Sequence, residues 1–244
     1  IQLCTGGNAY SGAPIRYQSD RDAEILTDVQ EAANTWNGVS GGITFGTAVA
    51  NSGCGPSGAG NDSVGAPNGQ NRVSFTNNLP AGVLALTHLH MTASGGVLTI
   101  NEADIQFNTN FYTGMGVQEV WTTKDCHTQI LASGGTPTGT CSPGDLRIGF
   151  RGVLVHELGH FIGLSHSLIN DDYAADDEDN PSTIATMFPA ISNLNQSVTI
   201  ENLGNDDILS KRNLYNLTSS ATTGTITGTV YSAVGKTKLR AAHV

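Results

Sequence analysis

His156, Glu157, His160, Gly163 and His166 fall within the run HELGHFIGLSH and match the spacing H-E-x-x-H-x-x-G-x-x-H at every fixed position. On a helix, residues four apart share a face, so the rings of His156 and His160 can reach one metal ion at about 2.0–2.1 Å. Glu157 lies one step round the helix, beside such a metal and not on it, where a carboxylate can take a proton from water. A third ligand on the same face would close the site. The chain must therefore turn away, and Gly163 permits the backbone conformation that the turn needs. His166 then completes three neutral nitrogens with a fourth position open, the arrangement of a catalytic zinc and not of a structural one. H-E-x-x-H alone is a weak signal. A third histidine behind a glycine at this spacing is hard to reconcile with three unconnected surface residues.

The residues around the run narrow the chemistry. Ser167 follows His166, and Ala185-Thr186-Met187-Phe188-Pro189 lies downstream. Val83-Leu84-Ala85-Leu86-Thr87 and Ala103-Asp104-Ile105-Gln106-Phe107-Asn108 read as two strands. Leu203, Asp206-Asp207-Ile208 and Leu214-Tyr215 mark a helix near the end. Together these stretches resemble the metzincin zinc metalloproteases, and more narrowly the matrixins, over roughly residues 10–217. The zinc run is the specific part of that likeness. Three features depart from it. No His-x-Asp loop of the kind that holds a second, structural zinc in vertebrate matrix metalloproteinases is present. Asn108-Thr109-Asn110-Phe111 stands where their acidic calcium ligands would follow the fifth strand. No tyrosine follows Met187. There is no cysteine-switch propeptide, so the chain reads as already processed.

The resemblance implies an α/β (α+β) catalytic domain with a mixed, mostly parallel five-stranded sheet, an active-site helix, a Met-turn and a C-terminal helix. It implies a secreted zinc-dependent metalloendopeptidase, with His156, His160 and His166 on the zinc and Glu157 as general base and then acid. Met187 would be an apolar floor under the ligands, and Asp206 and Asp207 would tie the Met-turn. Substrate would lie extended along the fourth strand near Leu84 and Ala85, adding its backbone to the sheet edge. Gly152 stands four residues before His156, where matrixins vary the residue that opens or closes the S1′ pocket. With no side chain there, a roomy apolar pocket is expected, walled by Phe188, Pro189, Ala190 and Ile191. The competing reading is a zinc-containing binding or adhesion protein without turnover, although a purely structural site has no use for Glu157. A zinc hydrolase of non-peptide amides also fits the ligands.

Composition agrees with a secreted chain. The 244 residues carry a formal net charge of −10 and a sequence pI near 4.9, which disfavours nucleic acid. No apolar run approaches a membrane span, no signal peptide is visible, and a monomer is expected. Cys4, Cys54, Cys126 and Cys141 form an even set without C-x-x-C spacing. Three pairings are open, and Cys4–Cys54 with Cys126–Cys141 is the favoured one. Asp171, Asp172, Asp176, Asp177, Glu178 and Asp179 crowd the segment after His166. They suit Ca²⁺ or stand as a solvated loop. His88 and His90 alternate along the fourth strand and share a face, either as metal ligands or, more commonly, as polar filling beside a cleft.

Patterning supplies the elements that must position these groups. Strands are expected at 14–17, 43–45, 72–75, 83–91 and 105–107. A first helix should start at a Ser19 cap, bury Ile25, Val29, Ala32, Ala33 and Trp36, and end at Asn37-Gly38. The active-site helix is expected from Leu146 to Ile162, burying Val153, Leu154, Leu158 and Phe161, and a last helix from Asn205 to Asn216. Residues 1–217 would form the catalytic domain and 218–224 a linker. Residues 225–244 would begin a truncated, carboxypeptidase-regulatory-like β-sandwich or form a docked hairpin.

Overall fold

One helix carries two of the zinc-run histidines, His156 and His160, and the other described elements pack around it. The computed structural model describes residues 1–4, 22–51, 67–76, 78–80, 82–108, 120–122, 147–167, 185–190 and 200–215. The first helix, α1, spans Asp22–Asn37. Its apolar positions recur at helical spacing, and Ile25, Val29, Ala32, Ala33 and Trp36 are all fully buried, as the periodicity predicts. The second helix, α2, spans Phe150–Phe161 and is buried on nearly every side. A helix buried all round needs apolar residues all round, and Val153, Leu154, Val155, Leu158 and Phe161 supply them. Trp36 joins the two helices: its indole N–H donates to the Val155 carbonyl at 2.8 Å.

Above the helices lies a five-stranded sheet in the order β2-β1-β3-β5-β4. Its strands are β1 (Gln2–Cys4), β2 (Val49–Asn51), β3 (Arg72–Thr76), β4 (Ala85–Ser94) and β5 (Val97–Asn108). All pairings are parallel except β4 with β5. That pair is a hairpin closed by Gly95 and Gly96, both at positive φ, as a two-residue turn of the right twist requires. β4 therefore forms one edge of the sheet. The described residues are thus mixed α/β, as the patterning anticipates in outline, with a mostly parallel five-stranded sheet and three helices.

Two expected elements are corrected. Residues 43–45 are not a strand. The Asn37 side chain takes both backbone groups of Phe45: its amide donates to the Phe45 carbonyl at 2.9 Å and its oxygen accepts the Phe45 N–H at 2.7 Å. Those are the bonds a neighbouring strand would have made, so the strand forms later, at β2. The helix expected from Leu146 begins instead at Phe150. Arg147–Gly149 is a short strand, β7, paired in parallel with β6 (Val120–Thr122). Phe150 is the hinge because its ring is fixed among Phe107 at 4.5 Å, Phe75 at 5.8 Å and Trp121 at 6.2 Å between centroids. The patterning also misses β1, whose three residues are too short to show a period. The expected strand at 14–17, the Ser19 cap and all of 216–244 lie outside the described residues.

The last helix, α3, spans Asn205–Leu214 and closes the other two. The fully buried Lys211 extends its ammonium to the carbonyls of Trp36 at 2.7 Å and Val39 at 3.3 Å, where α1 ends. Cations suit helix C-termini because the last carbonyls lack intrahelical donors. Tyr215 donates its hydroxyl to Ile162 O, at the end of α2, at 2.8 Å. Among the described residues, no helix is long and apolar enough to cross a membrane. Lys211→Met would keep the packing volume but remove the donor to Val39 O and the second donor to Trp36 O, which among the described residues otherwise accepts only the Val39 N–H at 3.2 Å. It should lower unfolding free energy in urea by about 1–3 kcal/mol.

Candidate metal centre

Helix α2 ends where the sequence demands. Gly163 has φ 92°, its N–H donates to His160 O at 2.8 Å, and Leu164 N–H donates to Gly159 O at 2.9 Å. This pair of bonds is a Schellman cap, which satisfies the last carbonyls and turns the chain back on itself. The reversal brings His166 to the two helical histidines. Ring centroids stand 4.8 Å apart for His156 and His160, 5.3 Å for His156 and His166, and 4.7 Å for His160 and His166. One nitrogen from each ring lies within 4.8 Å of the others. His156 is buried, His160 half-buried and His166 exposed, so the cluster opens to solvent on the His166 side.

The tautomers follow from the partners. His156 Nδ1 lies 2.7 Å from Thr186 O, and His160 Nδ1 lies 2.7 Å from Leu164 O. A carbonyl only accepts, so both Nδ1 atoms carry the proton, and in the neutral rings both Nε2 atoms present lone pairs. Those two lone pairs face each other at 3.1 Å. Such an arrangement is repulsive unless a cation lies between them, and it is the donor set that zinc takes. Burial pushes His156 down to about 4; the Thr186 carbonyl opposes this, and His160 and His166 add to it. His160 and His166 are also lowered by burial. The three imidazoles, two of them with fixed tautomers, thus fit a divalent transition metal.

Glu157 stands beside the cluster, buried at 5 % exposure. Burial pushes its carboxyl up to about 7, against a hydrogen bond from Thr87 that favours the charged form. Thr87 Oγ1 lies 2.5 Å from Glu157 Oε2 and 3.1 Å from Glu157 O. The hydroxyl donates to the carboxylate when Glu157 is charged. When Glu157 is protonated the carboxyl can donate to Oγ1, and the threonine proton turns to the backbone carbonyl. Sequence reasoning quotes Thr87 only as part of a strand. The available signal was strand alternation, which puts this one polar side chain on the same face as Ala85 and Leu89, toward α2.

Beneath the ligands lies Met187. A Cβ added at Gly159 would collide with Met187 Sδ, so the thioether rests directly on the α2 backbone between the two helical histidines. Met187 sits in a turn closed by Phe188 N–H to Ala185 O at 3.0 Å, and Met187 O accepts the Ser167 N–H at 2.8 Å, next to His166. Asp207, with no exposure, holds that turn: Oδ2 accepts the N–H of Thr186 at 2.9 Å and Gly204 at 2.8 Å, and Oδ1 that of Met187 at 3.1 Å. Asp206, expected to share this role, is exposed, because adjacent helical residues point about 100° apart.

Other expected site residues are placed as follows. Leu84 and Ala85 are half-buried at the start of the β4 edge, and Gly152 is buried in the first turn of α2. Phe188 turns inward, while Pro189 and Ala190 are exposed. Cys4 is disulfide-bonded. Its expected partner Cys54, the Cys126–Cys141 pair, Ile191 and the acidic residues Asp171, Asp172, Asp176, Asp177, Glu178 and Asp179 lie outside the described residues. No protein-family model and no curated protein sequence matches the chain.

The Gly159–Met187 contact gives a test of the floor. Gly159→Ala should cost about 1–3 kcal/mol of stability, as overpacking does, and should weaken metal affinity. In Gly159→Ala/Met187→Ala the collision with the thioether is gone and only the close approach to the Trp36 ring at 3.0 Å remains, so the double variant should recover part of the metal affinity relative to Gly159→Ala alone. Titration calorimetry with Zn²⁺ on the four proteins of the cycle checks this.

Proposed function

We propose that the chain is a zinc-dependent metalloendopeptidase of matrixin type. The observation that carries this reading is the convergence of three imidazoles, two with their Nδ1–H groups fixed by carbonyls, next to a buried carboxylate outside the ligand set. His156, His160 and His166 would hold the zinc. When bound there, zinc acidifies water and polarises a carbonyl oxygen.

The chain's own groups supply the rest. Glu157 takes a proton from the attacking water and later gives it to the leaving amine, the general base and acid roles of one carboxyl. Thr87 can hydrogen-bond Glu157 in either protonation state, so it keeps the carboxyl aimed through both steps. β4 is the edge of the sheet, its other side unpaired among the described strands, and an extended peptide can add there by main-chain bonds. This favours peptide over other amides. The absence of a side chain at Gly152 leads to the expectation of a large apolar residue after the scissile bond.

The deciding experiment is a quenched-peptide library with the parent and Glu157→Gln, with bound zinc measured in both. Turnover by the parent alone, with zinc retained in both, supports the proposal and reads out the P1′ residue. Zinc in both proteins and cleavage by neither sinks it in favour of a binding protein. Thr87→Val should lower kcat by about tenfold to a hundredfold, the worth of a hydrogen bond to a charged group, and leave KM and zinc content near the parent values.

A further inference from the structure

The outer face of the β4–β5 hairpin carries a second group of ligands. Leu89, Ala103 and Ile105 turn toward the helices, so His90, Glu102 and Asp104 turn the other way. His90 is directly opposite Glu102 in the register. One ligand atom of each of the three lies within 4.8 Å of the others. The pairing slips immediately beyond His90: Met91 pairs Ile100, and Asn101 is the extra residue of a bulge. Bulges of this kind re-aim side chains.

Glu102 is 2 % exposed and only half satisfied. Its Oε2 accepts the backbone N–H of Asn68 at 2.7 Å and that of Gly69. Its Oε1 is buried and has no hydrogen-bond partner among the described residues. Leaving a carboxylate oxygen dry and unpaired is costly. Asp104 is fixed by the Arg72 N–H on Oδ1 at 3.0 Å. Burial pushes its carboxyl up to about 6, with Glu102 adding to this and the Arg72 N–H, the Arg72 guanidinium and His90 opposing. The Arg72 guanidinium is itself engaged by Gln70 Oε1, through Nε at 3.1 Å and Nη2 at 2.6 Å. Two carboxylates held in place by backbone N–H groups, one of them with an open buried oxygen, and an imidazole across the strand make a cation site with oriented ligands.

We infer that His90, Glu102 and Asp104 bind a second divalent metal ion, on the sheet face opposite the three-histidine cluster. The imidazole selects zinc or a similar transition metal over calcium, which takes oxygen ligands. The ion would pin β4 to β5 and, through Glu102, to the segment 67–70. That would stiffen the hairpin whose outer strand is the open sheet edge. The inference stands whether or not the chain cleaves peptides.

The test uses the full chain carrying His156→Ala and His160→Ala, which removes the first cluster. Zn²⁺ is titrated by calorimetry, and Tm is read with and without the metal. One equivalent should bind and raise Tm. Adding His90→Gln, or separately Asp104→Asn, should abolish the Tm rise and weaken binding by about a hundredfold. His90 is half-buried, so its replacement is expected to leave the metal-free melting curve unchanged. No bound zinc in the His156→Ala/His160→Ala protein, or binding that survives both further substitutions, overturns the inference. The trio would then be a polar cluster on the sheet face, and any zinc an adventitious ion only.

Discussion

The Asp207 carboxylate is the fixed point of the three-histidine cluster. It has no solvent exposure and takes three backbone N–H groups, two from consecutive residues of the turn at Thr186 and Met187. The same peptide of Thr186 that donates to Asp207 precedes the carbonyl that accepts the His156 Nδ1–H. A buried negative charge is tolerated only when its lone pairs are filled. The turn therefore cannot drift without exposing Asp207, and while the turn is held, the His156 tautomer and ring plane are held with it. Met187 O, bonded to the Ser167 N–H, extends the same constraint to the segment that presents His166.

Packing does for the helix what hydrogen bonds do for the turn. α2 is buried along almost its whole length, and its two ligands project from a backbone that Met187 touches at Gly159 and Trp36 grips at Val155. A side chain at Gly159 would push the thioether away, so the sulfur and the helix specify each other's position. The C-terminus of α2 is satisfied twice, by the Gly163 reversal and by the Tyr215 hydroxyl on Ile162. Rigid support of this kind is what lets lone pairs stand 3.1 Å apart with no freedom to turn away.

The two faces of β4 and β5 divide the chemistry. Toward the helices the hairpin is apolar apart from Thr87, whose hydroxyl is spent on Glu157. Away from them it carries His88, His90, Glu102, Asp104 and Gln106, and His88 is already taken by Gln106 at 3.1 Å. A strand period of two makes this separation automatic, so one hairpin can serve a carboxylate on one side and gather acidic residues on the other.

The sequence by itself determined the histidine run, the glycine that reverses the chain, the amphipathic face of α1, most of β4 and the end of β5. Each of these is local, set by spacing within a few turns or by a period of two or 3.6 residues. The role of Asp207 was also legible, through resemblance, while that of Asp206 was not, because a helix lets only one of two neighbours face inward. Only the tertiary structure decided that Phe45 bonds to Asn37 and not to a strand, that α2 starts at Phe150, that Thr87 meets Glu157, and that Glu102 is buried with one oxygen open. Those outcomes join residues from 8 to 75 positions apart in the chain, as Asn37 with Phe45 and Phe75 with Phe150 show. No local period encodes such contacts. They arise when buried polar groups must find partners among whatever the packed elements bring within reach.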